Sequence, residues 1–215
     1  MSINLREFLV SWHGEPDMPP TPVSVEFDWL PVPLKEWHTL SSQWSKPLMR
    51  LNRMINPEHI EAVDGKAVFL LEGSGDWQSA FDTQSHEVVY ESELSETWKK
   101  SPETLSEVII HSALLEATTT GRVRKWSTQI EESLLSQILA PLEKVGLKGW
   151  NWYNNPNCQI FMNEKMVATV EPIIDTRHPE FNRPGYVDVQ VATNNPEELS
   201  YLNTIPQINW REARS

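Results

Sequence analysis

Three carboxylates and one tryptophan fall within eleven residues of this chain, Glu72, Asp76, Trp77 and Asp82, in the stretch "VFLLEGSGDWQSAFD". An apolar strand runs into Glu72, a loop with Gly73 and Gly75 follows, and a second strand leads from Trp77 to Asp82. Two chemistries fit those residue types. A pair of acids beside an indole could serve a glycosidase, with one carboxyl raised in pKa by desolvation and the ring stacked on a sugar. The same residues could instead form a binding rim, with Trp77 as apolar anchor and the acids steering a basic partner. Nothing in the spacing sets the separation across space that a catalytic pair needs, so binding is the stronger expectation and no catalytic residue is assigned.

Other chemistry is poorly encoded. The six histidines have no two at a spacing of two, three or four, and with the single Cys158 they suggest no zinc site. A phosphate loop GxxxxGK[ST], a dinucleotide turn GxGxxG and a nucleophile elbow GxSxG are all missing, so no metal or cofactor is expected. One thiol also excludes an internal disulfide and fits a reducing compartment. No apolar run reaches the ~18 residues of a membrane span, and the first residues have no basic-then-apolar leader, so the expectation is a cytoplasmic protein.

Charge narrows the partners. Asp and Glu number 30 against 18 Lys and Arg, a net of −12. Such a field repels nucleic acid and anionic membrane and attracts basic proteins. The excess is local: thirteen acids lie between Glu58 and Glu116, against Lys66, Lys99 and Lys100.

The elements that must position these residues read as follows. Leu5, Phe8, Leu9 and Trp12 at helical spacing before Gly14 predict a short helix. Pro16, Pro19, Pro20 and Pro22 then make an extended linker. A helix opens near Pro33, with Leu34, Trp37 and Leu40 on one face. Asp64-Gly65 between apolar runs predicts a tight hairpin, and "WQSAFD" and "HEVVYES" add two strands to an antiparallel meander. Ser101, Pro102 and Glu103 suit the start of a buried helix running on through Leu115. Beyond "TTTGRVRKW", Thr128 and Glu131 at capping-box spacing predict a helix to Gly146, kinked at Pro141. A hairpin about Asn163 and Glu164, the strand "GYVDVQVAT" and a helix opening on Asn195-Pro196 complete the tail. The fold class is α+β: a curved, mainly antiparallel sheet flanked by helices, with a small C-terminal β-rich unit. The expected parts are residues 1–22, 23–126 and 127–215.

The order "WLPVPLKEWHTL", "LNRMINPEHIEAVDGKAVFLLEGSGDWQSAFD", "VVYESELSETW" and "SPETLSEVIIHSALLEA" resembles the SUKH superfamily of bacterial immunity proteins and fungal Smi-Knr regulators. The resemblance covers about residues 23–118 and is carried by Leu30-Pro31, Glu72, Gly73, Gly75, Trp77 and Trp98. It implies a protein-binding role without catalysis: a monomer or weak dimer that neutralises a basic protein such as a secreted nuclease-type toxin. The alternative is a carbohydrate-active or carbohydrate-binding protein using Trp77 and paired acids.

Overall fold

The computed structural model describes residues 3–93, 97–148, 157–174 and 178–214. The chain is α+β with antiparallel sheets and divides into two compact units, Leu5–Glu116 and Ala117–Ser215 with Met1–Asn4.

The first unit opens with helix α1 (Leu5–His13), which buries Phe8, Leu9 and Trp12. Gly14 ends it at φ +87°, its N–H reaching Val10 O at 2.9 Å, a left-handed stop that glycine adopts without strain. The proline segment then runs without regular structure to helix α2 (Val32–Ser41), where Pro33 occupies the first turn and Leu34 and Trp37 face inward. Six strands follow: β1 (Asn52–Met54), β2 (Ala62–Val63), β3 (Lys66–Glu72), β4 (Trp77–Asp82), β5 (Val88–Glu93) and β6 (Lys99–Thr104). They form one sheet ordered β1-β3-β4-β5-β6, with β2 also paired to β3. Asp64 (φ +50°) and Gly65 (φ +75°) make the expected primed turn.

The helix expected from Ser101 begins later. Residues 101–104 belong to β6, an edge strand where Pro102 is tolerated. Helix α3 (Leu105–Thr120) starts where Thr104 and Glu107 form a capping box: Thr104 N donates to Glu107 Oε2 at 2.8 Å, and Glu107 N donates to Thr104 Oγ1 at 3.3 Å. That reciprocal pair outcompetes Ser101.

In the second unit, strands β7 (Val123–Glu131), β8 (Glu143–Lys144), β9 (Gln159–Met162), β10 (Met166–Pro172), β11 (Tyr186–Thr193) and β12 (Arg211–Arg214) form a sheet ordered β12-β7-β11-β10-β9-β8. The helix expected over Thr128–Gly146 is largely absent. Burial alternates from Val123 to Ser127, and the strand continues to Glu131 around an irregularity where Gln129 takes φ +58°. Only Glu132–Leu134, a 3-10 turn, and α4 (Leu135–Ile138) are helical. Pairing on both edges of β7 overrides the local helical spacing. The tail is therefore a six-stranded sheet with its own core of Val123, Val170, Val189, Val191 and Leu202. Asn195 caps the 3-10 helix Pro196–Thr204 by accepting from Glu197 N.

Two half-buried histidines set a pH dependence: burial lowers the pKa of His13, and that of His38 further. His38 on α2 is desolvated, which pushes its pKa from 6.5 down to about 4, and its Nε2 has no hydrogen-bond partner among the described residues. Between those values the unfolded chain binds the proton and the folded chain does not. The His38 contribution is therefore complete above pH 6.5 and is lost as pH falls towards 4. After allowance for its partial exposure this amounts to on the order of 2 kcal/mol. Urea unfolding between pH 5 and 6.5, where most carboxylates stay ionised, should show a stability slope that His38→Leu flattens; an unchanged slope would show that His38 is not its source.

Candidate functional site

The β3–β4 hairpin decides where the four candidate residues stand. Glu72 closes β3, and Gly73 must be glycine because a Cβ there would lie 2.4 Å from Leu51 O. Gly75 turns the chain back at φ +83°, with its N–H on Glu72 O at 2.9 Å. Inside that turn Ser74 N donates to Glu72 Oε2 at 2.9 Å. The Ser74 hydroxyl lies between the Glu72 carboxylate and Asp76 Oδ2, 3.0 Å from the latter. Glu72 and Asp76 therefore form one acidic turn.

Trp77 and Asp82 do not complete it. Trp77 opens β4 opposite Glu93, on the same strand face as Ser79 and Phe81, and only 8 % of it is exposed. The period-two pattern of "WQSAF" could have shown this, since it places Trp77 beside Phe81. Asp82 ends β4, six residues from Asp76, a separation of about 20 Å along an extended strand. There it accepts the backbone N–H groups of Ser85 and Gln84, each at 2.9 Å, which hold its pKa below the usual carboxylate range. The hairpin thus carries one acidic turn at each end.

The charge is strongly divided. Residues 5–116 carry 19 acids against 8 Lys and Arg, a net of −11; residues 117–215 carry 11 against 10. Part of this charge is internal. Glu91, Glu103 and Glu116 are each no more than 2 % exposed. Glu103 places both carboxylate oxygens 3.1 Å from His111 Nδ1. Glu116 accepts the N–H groups of Arg50 (2.8 Å) and Asn52 (2.6 Å). Glu103 and Glu116 thus have internal partners and Glu91 is buried in β5, so the acidic surface is smaller than composition suggests.

The second unit holds a feature that the sequence reading missed. A shallow pocket of about 190 Å³ on its sheet is lined by Trp126, Thr128, Thr169, Glu171, Asp188 and Gln190. Glu171 and Asp188 are directly opposed on β10 and β11, and Thr169, Gln190 and Trp126 form the next row across three strands. Desolvation, then the Asp188 charge, raises the pKa of Glu171. Burial, then the Glu171 charge, raises that of Cys158, which favours the protonated thiol. Asp188 Oδ1 is engaged by Gln129 N at 2.9 Å, and the Gln190 amide donates to Thr118 O. Reading Thr128 as a helix cap concealed this row.

Among the described residues no group of three or more His, Cys, Asp and Glu side chains could hold a metal ion, and no helix is long and apolar enough to cross a membrane. Comparison of the chain with models of known families, with curated proteins and with solved structures finds no match.

Proposed function

We propose that the protein is a non-enzymatic, SUKH-type binding module of the cytoplasm, whose unit 5–116 docks on a basic protein; in the immunity setting that partner is a secreted nuclease-type toxin. The segregation of charge carries the reading: nearly the whole net charge of the chain belongs to one unit. A nuclease presents a basic groove to phosphates, and an acidic protein that reaches it is steered there by the same field. The paired-acid alternative loses support at Trp77, because Asp82 stands at the far end of the strand from Glu72 and Asp76. Its aromatic-plus-acid pattern recurs at Trp126, Glu171 and Asp188, where quenching of tryptophan fluorescence by a glycan panel would test it.

The direct experiment is co-purification with the product of the adjacent gene, followed by binding kinetics. Neutralising the first turn with Glu72→Gln and Asp76→Asn should slow association several-fold at low salt and flatten its salt dependence, with dissociation little changed. An unchanged association rate would remove that turn from the encounter surface. Failure of any basic protein to bind the wild-type chain would overturn the proposed function.

A further inference from the structure

At the end of the first sheet opposite Glu72, the starts of α2 and α3 and the β4–β5 turn enclose a groove of about 330 Å³. Pro31, Val32, Pro33, His86, Glu87 and Leu105 are among its lining residues. Large apolar side chains stand in solvent on the segment that leads into it: Val25 is 82 % exposed, Val32 62 % and Trp29 38 %. Trp29 is held in place from beneath, its ring centroid 6.0 Å from that of Phe81, which in turn meets His86 edge-on at 6.1 Å. A half-exposed indole packed on Phe81, on the segment that leads into this groove, needs little ordering to accept a partner side chain.

The rim is acidic. Residues 24–36, 82–87 and 104–107, which line or flank the groove, contain Glu26, Asp28, Glu36, Asp82, Glu87 and Glu107; Lys66 stands opposite Asp82 on β3, and the three stretches themselves hold one Lys or Arg. That cation, Lys35, is paired with Asp28 at 3.3 Å, and the Asp28 side chain remains 73 % exposed. A groove whose lining sets Pro31, Val32 and Pro33 beside Ser85, Thr104 and Ser106, with Glu87 in the lining and further acids on the flanking segments, matches a polypeptide segment that places one apolar side chain between Lys and Arg residues, and it disfavours phosphate and acidic peptide.

We infer that this groove is the docking site for the basic partner: Trp29 and Val32 grip an apolar side chain of a basic segment, and the rim acids, Asp82 among them, meet its flanking cations. The inference rests on the proposed function and moves the anchor from Trp77 to Trp29 and Val32.

The test uses the full chain, ¹⁵N-labelled, titrated with three peptides: acetyl-Lys-Arg-Leu-Arg-Lys-amide, its analogue with Gly in place of Leu, and an acidic counterpart with Leu at the centre. The first should shift the amides of Val32, His86, Glu87 and Leu105 and bind about tenfold more tightly than the Gly analogue, while the acidic peptide shifts none of them. Shifts confined to Gly73–Asp76, equal binding of the Leu and Gly peptides, or no shift up to millimolar peptide would overturn the groove. Val32→Lys, at an exposed position, then separates the two claims. An adjacent-gene product that binds this variant as it binds wild type overturns the groove and leaves the proposed function standing. A groove that takes the Leu peptide in a chain that no basic protein binds is supported as a site, and the proposed function falls.

Discussion

Replacing Glu116 with alanine should lower the stability of the first unit by about 2–5 kcal/mol. The carboxylate lies inside the protein and accepts two backbone N–H groups from the segment that enters β1, those of Arg50 and Asn52. Alanine leaves both donors without this acceptor: the buried Asn52 N–H left unpaired costs about 1–3 kcal/mol, and the part-buried Arg50 N–H loses a charge-assisted bond. The melting temperature should fall by about 10 °C or more, and protection of the Asn52 amide from hydrogen exchange should weaken first. Glu116→Gln, which keeps one acceptor oxygen, should recover roughly half of the loss. A loss below about 1 kcal/mol for the alanine variant would show that β1 is held in place by other contacts.

Trp77→Ala should cost a similar amount, about 3–5 kcal/mol, because it removes a large side chain from the interior. The consequence for binding is the informative part. With its ring covered in the free protein, Trp77 offers a partner little surface, so the variant measured well below its melting temperature should keep the dissociation rate of wild type within about threefold, a difference of roughly 0.6 kcal/mol. Trp29→Ala should do the reverse, with a smaller stability loss and an affinity loss of about 2 kcal/mol. Calorimetry and surface-based kinetics on the two variants separate the roles. Faster dissociation from Trp77→Ala without a stability loss would restore Trp77 as the anchor.

What could be read in the sequence was local. The Asp64-Gly65 turn, the Gly14 stop, the strands from Trp77 and Val88 and the hairpin at Asn163 each depend on a few neighbouring residues, and each stands where expected. The start of α3 was misplaced because two capping arrangements compete within four residues, and only the one with reciprocal bonds prevails. The strand β7 was hidden because Leu134, Leu135 and Ile138 carry a helical spacing just beyond it, while its own pairing partners lie some 60 residues away in β11. The site was harder to read still. Composition counts Glu91, Glu103 and Glu116 with the surface acids, yet the partners that draw Glu116 inside are 64 and 66 residues distant. Glu72 and Asp76 meet because a single turn separates them, whereas the distance from Asp76 to Asp82 follows only once residues 77–82 are known to form one extended strand. The exposed Trp29 looked like any other of the ten tryptophans until Phe81 was found beneath it.

The most direct test of an acidic binding unit is the association rate of the protein with the adjacent-gene product, measured by stopped flow from about 0.05 to 0.5 M salt. The proposal expects a rate near 10⁸ M⁻¹s⁻¹ or above at the lowest salt, falling by about tenfold or more across the series while dissociation changes little. A rate of about 10⁵–10⁶ M⁻¹s⁻¹ that ignores salt, or no association at all, would contradict it.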